Sequence, residues 1–241
     1  MKPLRSLLCL LLCTVALVMM LRTCAFSILT IPQSGEAPVL LQGDRVLVNK
    51  WAYGLRRPYS QWGGYLRYRP RKAERGDWLA FNSPAVQSEA LPDTSFLCVG
   101  RVMAGPGDTI WMGSQGRVST SRDYQRGCIW PVTIPARGIH IHVTPWTAPL
   151  YALTIRRHEG TDVAVVRDSI AVDNHLIDYF RFQRDYYWVA SGNEENFFDS
   201  RTFGFVPAEF VLGKATAILY SFDPQQPWTK RWRRKRTLRG L

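Results

Sequence analysis

The sequence predicts a mainly β, antiparallel domain carried behind an N-terminal transmembrane helix, and three observations predict it. An apolar run opens the chain. Behind it the hydrophobic period is mostly two, with β-branched and aromatic residues on the repeating positions. Gly and Pro recur too often for long helices, with 18 and 15 copies among 241 residues. Hydrophobic residues make up 46% of the chain and charged ones 21%, which supports a sizeable core and excludes a disordered chain.

Residues 6–21 read SLLCLLLCTVALVMML, with Lys2 and Arg5 before them and Arg22 behind. This run of 16 residues is shorter than the ~20 a spanning helix needs. Snorkelling by Arg22 and the apolar residues from Thr23 to Thr30 lengthen the span. One reading is an uncleaved anchor: residues 1–5 cytoplasmic, 6–30 anchor and membrane-proximal segment, the rest outside. The other is a cleaved leader ending near Thr23-Cys24-Ala25-Phe26. Leu21-Arg22-Thr23-Cys24 makes a poor lipidation site because of its arginine.

Turns then punctuate strands. Gly43-Asp44 precedes a strand over 44–49, and Arg75-Gly76-Asp77 opens one over 78–81 that Asn82-Ser83-Pro84 closes. A third runs over 96–103 and stops at Gly105-Pro106-Gly107-Asp108, after which 109–112 resumes. Further strands are expected at 139–144, 150–155, 163–172, 186–190 and 211–220. A short helix fits 49–54 or 207–210, where Pro207 suits a first turn. Residues 55–74, rich in Arg, Tyr and Trp, have the composition of a loop at a lipid headgroup surface.

The net charge of +12 is unevenly spread. Seven lysines and arginines and no acid lie between Thr229 and Leu241, three more cations lie near the N-terminus, and +2 remains over residues 23–228. A nearly neutral body argues against nucleic acid as a partner. The tail, with Trp228 and Trp232 among its cations, reads either as a membrane-docking segment or as a solvated disordered tail. Of five cysteines, Cys9, Cys13 and Cys24 lie in or beside the apolar run. Cys98 and Cys128 are left in the body, where an oxidising compartment permits a bridge without requiring one. His140 and His142 have no second pair in metal-ligand spacing, so neither a metal nor a cofactor is expected.

Four segments, in order, carry a family resemblance. Ile31-Pro32-Gln33-Ser34-Gly35-Glu36-Ala37-Pro38 runs into Leu41-Gln42-Gly43-Asp44-Arg45-Val46-Leu47-Val48-Asn49-Lys50. Arg75-Gly76-Asp77 with Trp78 to Phe81 follows, then Arg101-Val102-Met103-Ala104-Gly105-Pro106-Gly107-Asp108. Last come Asp199-Ser200-Arg201, Gly204-Phe205-Val206-Pro207 and Gly213-Lys214-Ala215. The chain resembles bacterial type I signal peptidase, a family of membrane-anchored serine/lysine endopeptidases. The resemblance implies a signal-peptidase-like antiparallel β ectodomain over 31–222, with a variable insertion near 113–185 and a basic tail over 223–241. It implies a single-pass protein of the cytoplasmic membrane with its ectodomain on the outer side, whose partners are membrane lipids and the signal peptides of exported proteins.

The family's chemistry needs a serine hydroxyl that attacks the scissile carbonyl and a neutral lysine that takes its proton. That lysine must be desolvated so that its pKa falls. The resemblance implies Ile31, Pro32, Gln33 and Val99 as substrate-binding positions, and Asp199, Ser200 and Arg201 as supporting residues. It also exposes two substitutions: Gly35 stands at the nucleophile position and Gly100 at the base position. Ser34 is one place early, and Phe197 replaces a small polar residue that positions the base. Lys50, Lys72 and Lys214 are the body's lysines, none of them on the base-bearing strand, and Arg101 stays protonated. Three readings follow. The first is a non-catalytic paralogue that binds signal peptides or assists an active copy or the secretion machinery. The second is a protease using Ser34 with a shifted base, and the third is an anchored β-domain with no enzymatic role.

Overall fold

The computed structural model describes residues 7, 9–16, 25–31, 39–56, 66–84, 97–113, 117–123, 127, 129–166, 169–172, 175–190, 199–223 and 225–241, the Arg234 side chain apart. In chain order the strands begin with β1 (Phe26–Thr30), β2 (Asp44–Asn49), β3 (Leu55–Arg56), β4 (Arg67–Tyr68), β5 (Trp78–Asn82) and β6 (Leu97–Ala104). Next come β7 (Thr109–Met112), β8 (Val118–Ser119), β9 (Trp130–Thr133) and β10 (His140–His142). Helix α1 (Ala148–Thr154) runs into a π-helical turn, Ile155–Glu159. Then follow β11 (Val163–Val166), β12 (Ser169–Val172), β13 (His175–Ile177), β14 (Tyr179–Arg181) and β15 (Tyr186–Ala190). Helix α2 (Ser200–Phe203), β16 (Val206–Pro207), β17 (Val211–Ser221) and β18 (Arg239–Gly240) complete the order.

The main sheet runs β1-β2-β17-β5-β6-β15-β16, with β18 added to β17, and every described pairing in it is antiparallel. The sequence explains its centre. In β2, Asp44, Val46 and Val48 face inward while Arg45, Leu47 and Asn49 alternate outward. β17 spans 11 residues and lies between β2 and β5. Its register shifts twice against β2, between Ala215 and Ala217 and between Ile218 and Tyr220, as bulges do where a sheet must coil. One core lies between this sheet and the insertion, around Ile110, Ile134, Tyr151, Phe182 and Trp188. A second, around Leu79, Phe81, Val102 and Val211, lies beneath β5 and β6. A third, of Ile31, Leu40, Val46, Ala215 and Ile218, lies where β1 leads into the next loop.

Several sequence expectations change. Residues 150–155 are helical rather than extended: Pro149 sits in the first turn of α1. Ala148, Tyr151, Ala152 and Ile155 are buried at the spacing of one helix face. The strand expected over 163–172 is a pair, β11 and β12, with Val166 opposite Ser169. Residues 50–53 form turns closed by the Gly54 N–H on the Trp51 carbonyl. A single 3-10 turn, Ala208–Phe210, follows Pro207. At the N-terminus a helical stretch covers 9–16. Among the described residues no helix is long and apolar enough to cross a membrane. The extension of a span through Thr30 meets β1, whose backbone pairs with β2 from Phe26–Asn49 to Thr30–Arg45. Of residues 55–74, the ends pair as β3 and β4, and 57–65 lie outside the described residues. Cys98 is buried on β6 and Cys128 lies outside the described residues.

Of the two readings of the basic tail, the solvated disordered one does not hold, because the described tail residues are folded onto the sheet. β18 pairs with β17 at Ala217 and Ile218, Trp232 bridges Phe222, and Arg233 meets Asp223 at 2.8 Å. Leu241 donates its N–H to the Thr216 carbonyl and packs on the third core. Trp228 remains exposed.

Candidate functional site

Ile31 is fastened to the turn at Gly43 and Asp44. Its N–H donates to the Asp44 carbonyl and its carbonyl accepts from the Gly43 N–H, each at 2.9 Å. Pro32, Gln33, Ser34 and Gly35 lie outside the described residues. The other two substrate-binding candidates meet: Ile31 is buried and the half-buried Val99 of β6 packs on the same cluster. Val99 and Leu97 also pack on Leu29, Val48 and Ala80. Residues of β1 and β6 thus share an apolar cluster with Val48 of β2 and Ala80 of β5.

Gly100 lies on the opposite face of β6, because successive strand residues alternate. It is buried, and its burial follows that of Cys98 and Val102, which face the core under Leu79 and Phe81. In register, Gly100 is opposite Leu79, and Leu79 is opposite Lys214 of β17. Lys214 is therefore an amine-bearing side chain two strands from the base position. Its Nζ donates to Asp77 Oδ1 at 2.6 Å. Asp77 Oδ2 accepts from the Tyr53 hydroxyl at 2.8 Å and from the Glu74 N–H at 3.1 Å. Burial alone would raise the Asp77 carboxyl; the Lys214 and Tyr53 hydrogen bonds, the Glu74 amide and the Lys214 charge outweigh it and hold it below its ordinary value. Burial first, and then Asp77, push the Tyr53 phenol up, so it stays a donor. In this arrangement Nζ is directed at the Asp77 carboxylate, whereas a general base must face the proton it takes.

Asp77 and Lys214 stand inside the family-like segments, but nothing in the sequence links them to Tyr53 or to one another. Arg101 points its Nε at the Gly76 carbonyl, 3.2 Å away. The histidines supply no substitute base there. His158 is packed by Tyr186 and Phe210, and burial, followed by the charges of Arg184 and Arg157, pushes it down to about 4. His140, His142 and His175 are exposed strand residues.

The supporting residues have structural tasks. Asp199 is buried; its Oδ1 caps α2 by accepting the Arg201 N–H at 2.9 Å, and its Oδ2 pairs with Arg201 Nη2 at 2.8 Å. Ser200 Oγ accepts the Val189 N–H at 2.9 Å, where the β15–β6 ladder shifts register between Trp188 and Val189. Phe197 lies outside the described residues. Asp199→Ala removes a helix cap and the carboxylate half of a largely buried ion pair, so it should destabilise by ~3–5 kcal/mol. Thermal melts of the full chain in detergent measure this; a loss under ~0.5 kcal/mol, the range of exposed sites, would remove the buried-pair account.

The chain was compared with known proteins. Residues 4–126 and 139–220 match the family described as signal peptidase, peptidase S26. Over 245 residues it is 24% identical to a signal peptidase I of Buchnera aphidicola subsp. Acyrthosiphon pisum (strain APS), covering 87% of this chain and 73% of that protein. Over 220 residues it is 26% identical to a signal peptidase I of Aquifex aeolicus (strain VF5), covering 80% and 75% respectively.

Proposed function

Because this chain belongs to the signal peptidase family, peptidase S26, we propose that it binds the signal peptides of exported proteins as extended segments and does not cleave them. The peptide lies along β1 and β6, with its small apolar side chains against Val99 and Leu97, the half-buried residues packed on Val48 and Ala80. One observation carries the non-catalytic half of this reading. The base position is Gly100, and the amine in register with it, Lys214, is held by Asp77. Nucleophile and base act as a unit, so the coincident glycines at 35 and 100 remove the reaction while the binding surface remains. In this reading residues 6–21 anchor the chain in the cytoplasmic membrane, the ectodomain meets peptides as they leave the bilayer, and lipids are its neighbours. The bound peptide is either retained or handed to an active copy or to the secretion machinery.

The full chain in detergent micelles, offered a fluorogenic peptide with an A-x-A site, should bind without cutting. Val99→Phe should weaken binding at least tenfold by filling the space for a small side chain, with circular dichroism unchanged. Cleavage by the wild-type chain that disappears in Ser34→Ala would overturn the non-catalytic reading and make Ser34 the nucleophile. Absence of binding would overturn the reading altogether and favour the anchored β-domain.

A further inference from the structure

We infer that the C-terminal segment is a strap that holds the loop segment 39–44, and that Arg236 is the residue through which it acts. Side chains of the tail fasten the loop. Arg236 Nη2 donates at 2.6 Å both to the Val39 carbonyl and to Asp44 Oδ2, with Nε 3.3 Å from Asp44 Oδ1. Arg233 Nη1 reaches the Gln42 carbonyl at 3.0 Å while its Nη2 pairs with Asp223. Asp44 is fully buried, and its Oδ2 also accepts the Leu41 N–H at 2.9 Å. One guanidinium thus ties a loop carbonyl to the carboxylate that organises the loop's closing turn. A planar fork of donors can span those two acceptors at once, and a lysine ammonium on a flexible stem reaches them less well.

The strap has a firm origin. β18 pairs with β17, and Leu238 and Leu241 donate their N–H groups to the Leu219 and Thr216 carbonyls. β17 is itself paired with β2 and β5, so the strap is anchored on the centre of the sheet rather than on its edge. Leu241 packs on the cluster containing Ile31 and Leu40, which brings the chain's last residue to the cluster that Val99 also joins. Arg236 is therefore a positioning residue: it acts through Val39 and Asp44, at the two ends of the segment 39–44. The cations of the tail divide accordingly, with Arg233 and Arg236 turned onto the loop while Lys235 and Arg239 face outward.

The test uses the full chain in micelles and two readouts, of which only the second rests on the peptide-binding reading. The first is amide hydrogen exchange. Arg236→Gln should accelerate exchange at Leu41, Gly43 and Ile31 at least tenfold and leave the β5–β6 ladder, at Leu79 and Gly100, unchanged. Arg236→Lys should fall between Arg236→Gln and wild type. Unchanged exchange in the loop would overturn the strap. So would equal acceleration in loop and ladder, because Arg236 would then be only a global stabiliser. The second readout is affinity for the A-x-A peptide, expected to fall at least tenfold in Arg236→Gln and less in Arg236→Lys. Wild-type affinity in a variant whose loop exchanges fast would overturn the positioning role while leaving peptide binding intact. A wild-type chain that binds no peptide would remove the peptide-binding reading, and exchange would still decide the strap.

Discussion

Gly213→Ala will lower the unfolding free energy by about 3–5 kcal/mol, a loss on the order of 10 °C in melting temperature for a chain of this size. The reason is proximity. A Cβ built on Gly213 would lie 2.3 Å from the Asn49 carbonyl oxygen, 2.8 Å from the Asn49 carbonyl carbon and 2.9 Å from the Lys50 Cα. All three are backbone atoms, so no side chain can rotate away. Relief requires β17 to separate from β2, the most extensively paired neighbours of the sheet, with Asn49 in register with Lys214. Gly160 supplies the control, with φ +68° and nothing within 4 Å of its added Cβ. Gly160→Ala carries only the left-handed backbone cost, about 1–2 kcal/mol. Parallel melts of the two variants read the difference. Equal losses would show that close approach at Gly213 is not what holds that position to glycine.

On the proposed non-catalytic reading, Gly35→Ser together with Gly100→Lys should create cleavage of an A-x-A peptide, by ~10²-fold or more over the background of either single change. Gly100 supplies the geometric half of this expectation. A lysine there would leave β6 on the face of Cys98 and Val102, beside Leu79 and opposite to Val99, so its four-carbon stem must carry the amine past the strand to reach a peptide lying over Val99. Apolar neighbours desolvate an ammonium and lower its pKa, and the nearby Lys214 cation pushes the same way. Asp77 remains engaged by Lys214 and Tyr53, which limits its competition for the new amine. Each single variant should stay inactive, because a hydroxyl without a base and a base without a hydroxyl do not make a nucleophile. Phe197→Ser, added as a third change, tests the family resemblance, which implies a small polar residue at 197 as the partner of the new ammonium. A triple variant that folds, binds peptide and still cannot cut would show that position 35 is not the nucleophile's register.

How far the sequence reaches can be seen residue by residue. Strands over 44–49, 78–82, 97–104, 109–112, 186–190 and 211–221 were legible because alternation and turn chemistry are local. The helix over Ala148–Thr154 was not, since its short apolar run fits either period and its length gave no vote. The four family-like segments were legible too, and with them the glycines at 35 and 100, because both are statements of identity and order along the chain.

What only the tertiary structure decided is which distant groups share an environment. Lys214 meets Asp77 across 137 residues of chain, and Arg236 meets Asp44 across 192. In the sequence the first is a lysine off the base-bearing strand and the second one cation in a run of seven. The sheet register that puts Lys214 beside Leu79, and the β18–β17 pairing that carries Arg236 back to the loop, depend on non-local pairing and shared burial. Local propensity encodes neither, because an ion pair between distant residues forms only after the backbone has closed the loop between them.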